Sequence, residues 1–389
     1  MQKHKFIGRV LFVGQCYYNN WYLSRELRKR GWRADVVNWD ENPESQMYYH
    51  GEDILFSRKT LRECIRQVWF YLLSLFKYDV FHFSNKGGIR FGFVIPYLLK
   101  IIGLDKWDIR LLRLFRKKIV YTNNCCPDGF AQTTFSKWGV CDICAWKNRP
   151  DVCSDQDNLA WGQFRNSVVD YHCMLFGNRD DYNNDSKVHE APWAYSLDKN
   201  FWNPDLLVPS NYLLPFREST IKLYHSVGNF DSRSHGKNAQ TIKSTHIYFE
   251  LVERYKKEGL DVEMIFFKDV PNKKLRYYQA QADIFLDMLT YGFFGANVRE
   301  AMMMGKPAVC FLRPEWLESM RKEIPDYVDE LPVVNATPDN VYEIVRDLIV
   351  NREKRLEIGR RSRIFAEKWF ASDVAATEAE RVYLSLLKK

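Results

Sequence analysis

DMLTYGFFGANVREAMMMGKP, residues 287–307, is the stretch that decides how this chain is expected to fold. Its first residues are the end of an apolar run. After Gly295 the apolar residues recur at spacings of three and four, which predicts a short helix. Gly305 and Pro307 end that helix, and the apolar run after them predicts a buried strand. The stretch is therefore a glycine-containing loop and a helix between two strands of a predicted parallel sheet.

Two features of this loop and helix indicate a binding site. Backbone N–H groups at the start of a helix attract an anion, and the helix dipole adds to that attraction. Glu300 is a carboxylate on an otherwise apolar helix, where a buried charge costs free energy unless it has a partner. An ordinary strand–helix–strand unit, with glycines for close packing, is the alternative that the local pattern leaves open.

The composition excludes several classes of protein. The 389 residues allow two domains, and 46% hydrophobic residues indicate a globular chain. No apolar run reaches the roughly 18 residues of a membrane span. The first residues lack the apolar core and cleavage site of a signal peptide, so we expect a cytoplasmic protein. Nine cysteines, an odd number, agree with a reducing compartment.

The positive charge is concentrated in the first third of the chain. Residues 1–120 contain 22 Lys and Arg against 11 Asp and Glu, or +11, which leaves −3 for the rest of a total of +8. The basic amphipathic pattern of residues 100–118 predicts a helix that could lie on the inner face of an anionic membrane, or a solvated surface helix. Nucleic-acid-binding motifs are absent from the sequence, so we expect no nucleic-acid partner.

The beginning of the chain has the pattern of a parallel α/β domain. Residues 6–13, 21–30 and 34–39 predict a strand, a helix and a second strand, which together form a βαβ unit. The first turn of this unit contains only Gly14, so it lacks the G-x-G-x-x-G fingerprint and predicts no nicotinamide cofactor.

A later strand of the same domain ends in polar residues. Its sequence is YDVFHFSNKGG, residues 78–88. Because the carboxyl ends of parallel strands face the ligand crevice, His82 and Lys86 are candidate site residues. A lone strand histidine is more often a core residue with its hydrogen bonds satisfied, and this alternative stays open for His82.

A cysteine-rich segment interrupts the first half. It contains one C-x2-C pair and further cysteines on both sides, and it is long for an unsupported loop. A tetrahedral structural zinc site is one interpretation, and free or redox-active thiols are the other. The candidate zinc ligands are Cys126, Cys141, Cys144 and Cys153.

Residues 203–215 contain three prolines and predict an extended linker between two α/β units. We therefore expect a first domain over residues 1–208, with the cysteine-rich insertion at about 122–160, a second domain over 216–370 and a final helical segment over 371–389. Two such domains imply a cleft that binds a ligand. Arg233 and Lys237, in a polar loop after the first strand of the second domain, would complete a phosphate site there.

These residues resemble the GT-B glycosyltransferases, specifically the retaining glycosyltransferase family 4. EAMMMGKPAV, residues 300–309, is close to the EAMA-x-GKPVV signature of that family, and SVGNFDSRSHGKN occurs at the expected place. The second domain matches along nearly its whole length, and the first matches in element order and in YDVFHFS. The resemblance implies an α/β fold of two doubly wound Rossmann-like domains facing a cleft, with a C-terminal helix that crosses back to the first domain.

The resemblance also implies an activity. The protein would transfer a sugar from a UDP- or GDP-sugar to a glycan or lipid-linked acceptor, with retention of anomeric configuration, in surface polysaccharide or glycoconjugate synthesis. It would use no metal at the reaction centre, because arginine and lysine neutralise the diphosphate.

Residue roles follow from the same resemblance. Arg233 and Lys237 would hold the diphosphate and stabilise the leaving group, and His82 would approach the donor sugar. Glu300 would bind the ribose hydroxyls. The other expected site residues are Gly295, Ala296, Asn297, Asp287 and Gly292 on the donor side, and Gly14 and Lys86 on the acceptor side.

One position departs from the family. The family usually has a second glutamate eight residues before the one in EAM, and this chain has Gly292 there. A branch of similar proteins instead has an acidic residue at the preceding strand end, as Asp287 is here. The departure keeps a second reading open, which is a catalytically impaired GT-B-shaped nucleotide-binding or scaffold protein. The cysteine segment resembles an insertion in some polysaccharide-assembly members, which favours the zinc interpretation.

Overall fold

A computed structural model gives the architecture of the chain. It describes the following residues: 6–14, 17–39, 51–57, 60–84, 99, 101, 103–104, 106–123, 128–137, 144, 153–174, 179–228, 230, 242–268 and 270–388.

The first half forms a parallel sheet of seven strands in the order β3-β2-β1-β4-β5-β6-β7. Its strands are rich in valine and aromatic residues that are buried on both faces, as expected when helices cover both sides of a parallel sheet. The strands are β1 (Arg9–Val13), β2 (Arg33–Asn38), β3 (Ile54–Leu55), β4 (Val80–Phe83), β5 (Lys118–Thr122), β6 (Tyr171–Met174) and β7 (Val188–Glu190). The helices of this half are α1 (Asn19–Lys29), α2 (Leu61–Lys77), α3 (Trp107–Leu114), α4 (Gln132–Ser136) and α5 (Asp155–Val168).

The second half forms a parallel sheet of five strands in the order β12-β11-β10-β8-β9. The strands are β8 (Ile221–Val227), β9 (Val262–Lys268), β10 (Ile284–Leu286), β11 (Ala308–Cys310) and β12 (Val334–Asn335). The helices are α6 (Thr245–Lys257), α7 (Asn272–Ala280), α8 (Ala296–Met303), α9 (Pro314–Glu323), α10 (Pro325–Glu330), α11 (Val341–Val350), α12 (Arg352–Trp369) and α13 (Ser372–Leu387).

The strand order places two crevices at the carboxyl ends of the sheets. In the first sheet β1 pairs with β2 on one side and with β4 on the other, so the chain reverses direction across the sheet at β1. In the second sheet β8 lies between β10 and β9. Ligands of doubly wound proteins bind at such reversal points, so the segments after β1, β8 and β10 are where a site is expected.

The last helix returns to the first half of the molecule. Glu380 of α13 forms an ion pair with Arg30 and accepts a hydrogen bond from Trp32 Nε1 at 2.8 Å. Tyr383, also on α13, reaches the buried His82 of β4. Two parallel α/β sheets, a linker and a helix that crosses back confirm the predicted fold class.

The predicted helix over residues 100–118 is wrong at its carboxyl end. Helix α3 ends at Leu114, Arg116 adopts a left-handed backbone with φ of 53°, and Lys118 already begins strand β5. The alternating basic and apolar residues hid this boundary, because the apolar residues of a buried strand continue the pattern of the helix before it. Among the described residues, no helix is both long enough and apolar enough to cross a membrane.

Candidate active site

Helix α8 begins directly after Gly295 and is enclosed by the protein. Residues 298–303 are all buried, and Gly305 (φ 67°) turns the chain towards β11. The local prediction of loop, helix and strand is therefore confirmed. Since both the polar and the apolar side chains of α8 are buried, each polar group on it must find a partner inside the molecule.

Glu300 is the buried carboxylate of α8. Its Oε1 accepts a hydrogen bond from the Tyr18 hydroxyl at 2.5 Å, and its Oε2 accepts one from Gln279 Nε2 at 2.5 Å. Burial raises the pKa of Glu300 above its ordinary value, and the two hydrogen bonds oppose that shift. Tyr18 lies between β1 and α1, whereas Gln279 lies on α7, so this carboxylate joins the two halves of the protein.

Asp287 lies at the end of β10, where the anion-binding loop was predicted. Its Oδ1 forms an ion pair with Lys243 Nζ at 2.5 Å, and its Oδ2 accepts the Gly295 N–H at 2.8 Å. The side chains of Asp287 and Lys243 are 1% and 13% exposed, so the pair is shielded from solvent. The Gly295 amide at the start of α8 therefore already binds the Asp287 carboxylate, and Lys243 lies beside that carboxylate.

The start of α8 is also tied to β8. Asn297 Nδ2 donates to the Ser226 carbonyl at 3.2 Å, and Ala296 is the first residue of the helix. His225, the neighbour of Ser226, is buried and bonds the Leu286 carbonyl and the Thr245 hydroxyl, each at 2.9 Å. These contacts hold the carboxyl ends of β8 and β10 and the start of α8 in one rigid group.

The backbone conformation of Gly292 explains why this chain has no glutamate at this position. Its φ is 82°, in the left-handed region, and a Cβ built on it would lie 2.6 Å from Cβ of Arg313. The Gly292 carbonyl accepts the Arg313 N–H at 2.9 Å, which holds the two segments together. A glutamate does not fit at this position without a shift of the backbone.

His82 is placed in the core of the first half rather than at the cleft surface. It is 1% exposed, its Nδ1 contacts the Tyr383 hydroxyl at 2.7 Å, and its Nε2 contacts the Thr122 hydroxyl at 2.7 Å. Burial lowers the pKa of His82 to about 3, so the ring is neutral. Both nitrogens are engaged inside the core, as the alternative of a core histidine with satisfied hydrogen bonds describes. The role of His82 at a donor sugar stays a prediction.

Gly14 ends β1 at the first crevice. Its φ is 79°, and its carbonyl accepts a hydrogen bond from Asn20 Nδ2 at 2.7 Å. The same Asn20 nitrogen reaches Ser84 Oγ at 2.9 Å, which links the carboxyl ends of β1 and β4. Asn19 is 2% exposed, and its Nδ2 has no hydrogen-bond partner among the described residues.

Three residues that contact the site were not predicted from the sequence. They are Tyr18, Lys243 and Gln279, which hold Glu300 or Asp287. Tyr18 follows the first strand closely, so its position at a strand's carboxyl end was a usable signal. Lys243 lies just before α6, which begins at Thr245.

Several predicted site residues lie outside the described ranges: Arg233, Lys237, Lys86, Cys126 and Cys141. Their roles stay predictions, as does the zinc interpretation of the cysteine segment, of which Cys144 and Cys153 are described. Within the described ranges, no three His, Cys, Asp or Glu side chains are grouped so that they could hold a metal ion.

Comparison with known proteins yields similar structures and no similar sequence. No protein-family profile and no curated protein sequence matches the chain. A glycosyltransferase from Rickettsia africae ESF-5 has a TM-score of 0.59 and 10% identity, over 98% of this chain and 99% of that one. HepE from Anabaena, in complex with UDP and glucose, has a TM-score of 0.57 and 12% identity, over 97% and 100% of the two chains. Sucrose-phosphate synthase from Thermosynechococcus elongatus has a TM-score of 0.55 and 12% identity, over 98% and 99%.

At these identities the comparisons establish the fold. The match extends over almost the whole length of each chain, so it includes both sheets and the returning helix. The chain therefore has the GT-B fold, and Glu300 lies between its two Rossmann-like halves.

Proposed function

We propose that this chain is a glycosyltransferase that moves a sugar from a nucleotide-diphosphate sugar to a glycan or lipid-linked acceptor. The donor would carry UDP or GDP, and the reaction would retain the anomeric configuration. Surface polysaccharide or glycoconjugate synthesis is the process that such a reaction would serve. The domain boundaries we propose with it are residues 1–208, 216–370 and 371–389.

The placement of Glu300 is the observation that carries this proposal. A carboxylate is enclosed between the two halves of a GT-B fold and bound there by neutral donors, Tyr18 and Gln279. Its direct hydrogen-bond partners are neutral, and Arg299 and Lys243 stabilise its charge only through longer-range attraction. Such partners offset less of the cost of burying a charge than a directly bound arginine or lysine would, which argues against a purely structural role. The Tyr18 hydroxyl donates to Glu300 in the manner we expect of a ribose hydroxyl. When the donor binds, a ribose hydroxyl would replace the Tyr18 hydroxyl as a hydrogen-bond donor to Glu300.

Lys243 and Asp287 complete the donor side of the proposed site. Lys243 Nζ would lie 2.8 Å from a Cβ built on Gly295, so the ammonium stands directly at the start of α8. We propose that it joins Arg233 and Lys237 in neutralising the diphosphate, as charge develops on the leaving group. Attack by the acceptor on the face that the diphosphate leaves would then retain the configuration.

HepE supports a nucleotide-sugar as the ligand. Its structures contain UDP, UDP with glucose, and UDP-glucose. The two chains share the GT-B architecture, and Glu300 and the start of α8 occupy the inter-half region of that architecture in this chain.

Gly292 favours a second candidate, a nucleotide-binding or scaffold protein without turnover. The backbone at Gly292 admits no glutamate, so the contacts that the family's first glutamate would make must be absent or come from elsewhere. Asp287 is close in sequence, but its carboxylate is engaged by Lys243 and Gly295.

Binding and turnover measurements separate these candidates. We expect UDP or GDP, and their glucose conjugates, to raise the melting temperature of the protein by several degrees. Glu300→Ala should abolish that shift, whereas Glu190→Ala, which removes another buried glutamate, should keep it. Nucleotide binding with no hydrolysis and no transfer to a lipid extract would favour the scaffold. Equal shifts in Glu300→Ala and the unaltered protein would show the site assignment to be wrong.

We also propose a peripheral contact with an anionic membrane, because a lipid-linked acceptor lies in a bilayer and the first third of the chain is strongly basic.

A further inference from the structure

Helix α2 has apolar residues on two opposite sides. One side packs on the first sheet through buried residues such as Tyr71 and Leu75. The other side carries five large apolar residues at spacings of four, four, four and three, which aligns them along one exposed face. These residues, here called the α2 stripe, are 57–72% exposed: Leu61, Ile65, Trp69, Leu73 and Phe76.

The α2 stripe continues onto the end of α3. The ring of Phe76 meets the ring of Phe115 edge to face, with 5.8 Å between their centroids. Phe115 is 41% exposed, and Leu114 beside it is 76% exposed. The exposed apolar surface therefore spans two helices, and contiguous patches of this kind mark interaction sites.

Basic residues border the α2 stripe. Arg62, Arg66 and Lys77 lie on α2, where Glu63 is the acidic residue and is paired with Arg66 at 2.9 Å. Arg110 and Arg116 are exposed on and just after α3. An apolar surface with a positive border matches a partner that is apolar inside and negative at its surface.

We propose that the α2 stripe, together with Leu114 and Phe115, docks on the surface of an anionic lipid bilayer. The apolar side chains enter the boundary between headgroups and acyl chains, and the arginines and lysines contact lipid phosphates. Trp69 lies in the middle of the stripe, and tryptophan is enriched at membrane–water boundaries. The sequence had placed a membrane contact on residues 100–118, whereas the exposed apolar surface belongs mainly to α2.

The charges argue against a second copy of this chain as the occupant. Two copies that paired through the α2 stripe would bring Arg62, Arg66 and Lys77 of one copy near the same residues of the other. Like charges at an interface oppose association, whereas an anionic headgroup layer attracts them.

The position of α2 also suits an acceptor that lies in the membrane. Helix α2 connects the parallel strands β3 and β4, so it begins at the carboxyl edge of the sheet, where the cleft opens. A docked stripe would therefore keep the cleft near the bilayer. This use of the surface rests on the proposed function, but lipid binding is measured without donor or acceptor, so either proposal can fail alone.

The test is sedimentation of the full chain with vesicles. We expect binding to vesicles that contain phosphatidylglycerol, and much weaker binding to pure phosphatidylcholine or at high salt. Trp69→Glu and Leu73→Glu should each weaken binding at least about ten-fold, because a carboxylate would enter the headgroup boundary. The matched control is Ile364→Glu on α12, where the replaced residue is 67% exposed, and it should bind as the unaltered chain does.

Circular dichroism would verify that the three variants fold. Absence of binding to anionic vesicles would overturn the proposal, as would equal binding of Trp69→Glu and Ile364→Glu. A dimer of the unaltered chain in light scattering, lost in Trp69→Glu, would assign the stripe to a second copy and also overturn it.

Discussion

At the scale of single residues, Gly292 shows how the backbone limits the chemistry of a site. A left-handed φ favours glycine because a side chain there meets the neighbouring backbone. The close approach of Arg313 adds a second restriction, since even a methyl group would lie 2.6 Å from its Cβ. The absent glutamate is thus part of the local structure, and any donor contact must be made by other residues.

Replacing Gly292 by alanine tests this account against a matched position. Gly259 has the same φ of 82°, and a Cβ there has no atom within 4 Å. We expect Gly259→Ala to lower the free energy of unfolding by about 1 kcal/mol, from the backbone alone. Gly292→Ala should cost about 3 kcal/mol, because the contact with Arg313 is added. Chemical denaturation measures both, and equal losses would contradict the crowding at Gly292.

At the scale of elements, α13 completes the core of the first half although it is the last helix of the chain. Tyr383 is fully buried, and its hydroxyl is hydrogen-bonded to His82 Nδ1, while Glu380 is bonded to Arg30 and Trp32. One of the two hydrogen bonds of His82 therefore depends on a residue 301 positions away in sequence. Thr122 of the same half engages the other ring nitrogen, so α13 supplies the partner that completes the hydrogen bonding of the buried ring.

Tyr383→Phe should destabilise the protein by about 1–3 kcal/mol, because one ring nitrogen of His82 is left buried without a partner. Thermal and urea unfolding would measure the loss. Tyr342→Phe is the control, since Tyr342 bonds Glu258 near the surface and should change the stability by less than about 0.5 kcal/mol. Equal losses of stability in the two variants would contradict a specific contribution of the Tyr383–His82 hydrogen bond to the free energy of unfolding.

At the scale of the whole molecule, a buried carboxylate lies where β7 meets α9. Glu190 is 6% exposed, and its Oε1 accepts a hydrogen bond from Ser319 at 2.9 Å. Its N–H donates to Glu323 at 2.9 Å. Burial raises the pKa of Glu190 to about 7, so the protonation state of this carboxyl group changes near neutral pH.

The raised pKa gives a prediction with a definite sign. The folded state keeps the proton on Glu190 up to about pH 7, whereas the unfolded state releases it near its ordinary value of about 4.3. Stability should fall as the pH rises through that window, by about 4 kcal/mol in total from this group. Glu190→Gln should remove this part of the slope and be the more stable protein above pH 7. Parallel stability curves for the two proteins between pH 4.5 and 7.5 would falsify the assignment of Glu190 as the titrating group.

Much of the architecture was predictable because it depends on local patterns. The strand, loop and helix around Gly295 follow from apolar spacing and from glycine and proline positions, and the structure agrees. The end of α3 was missed, because a basic helix and the buried strand after it share a continuous pattern of apolar residues. The candidate site was predictable as a region between two halves, with Glu300 in it.

The sequence by itself determined the α/β class, the two halves and the acidic residue on α8, since each rests on residues that are neighbours along the chain. Tertiary structure alone decided that Glu300 meets Tyr18, which is 282 positions away, and that His82 meets Tyr383. It also decided that one apolar side of α2 faces the sheet and the other faces outwards. Local periodicity indicates that a face of a helix is apolar, but only the packing of distant elements determines what that face contacts.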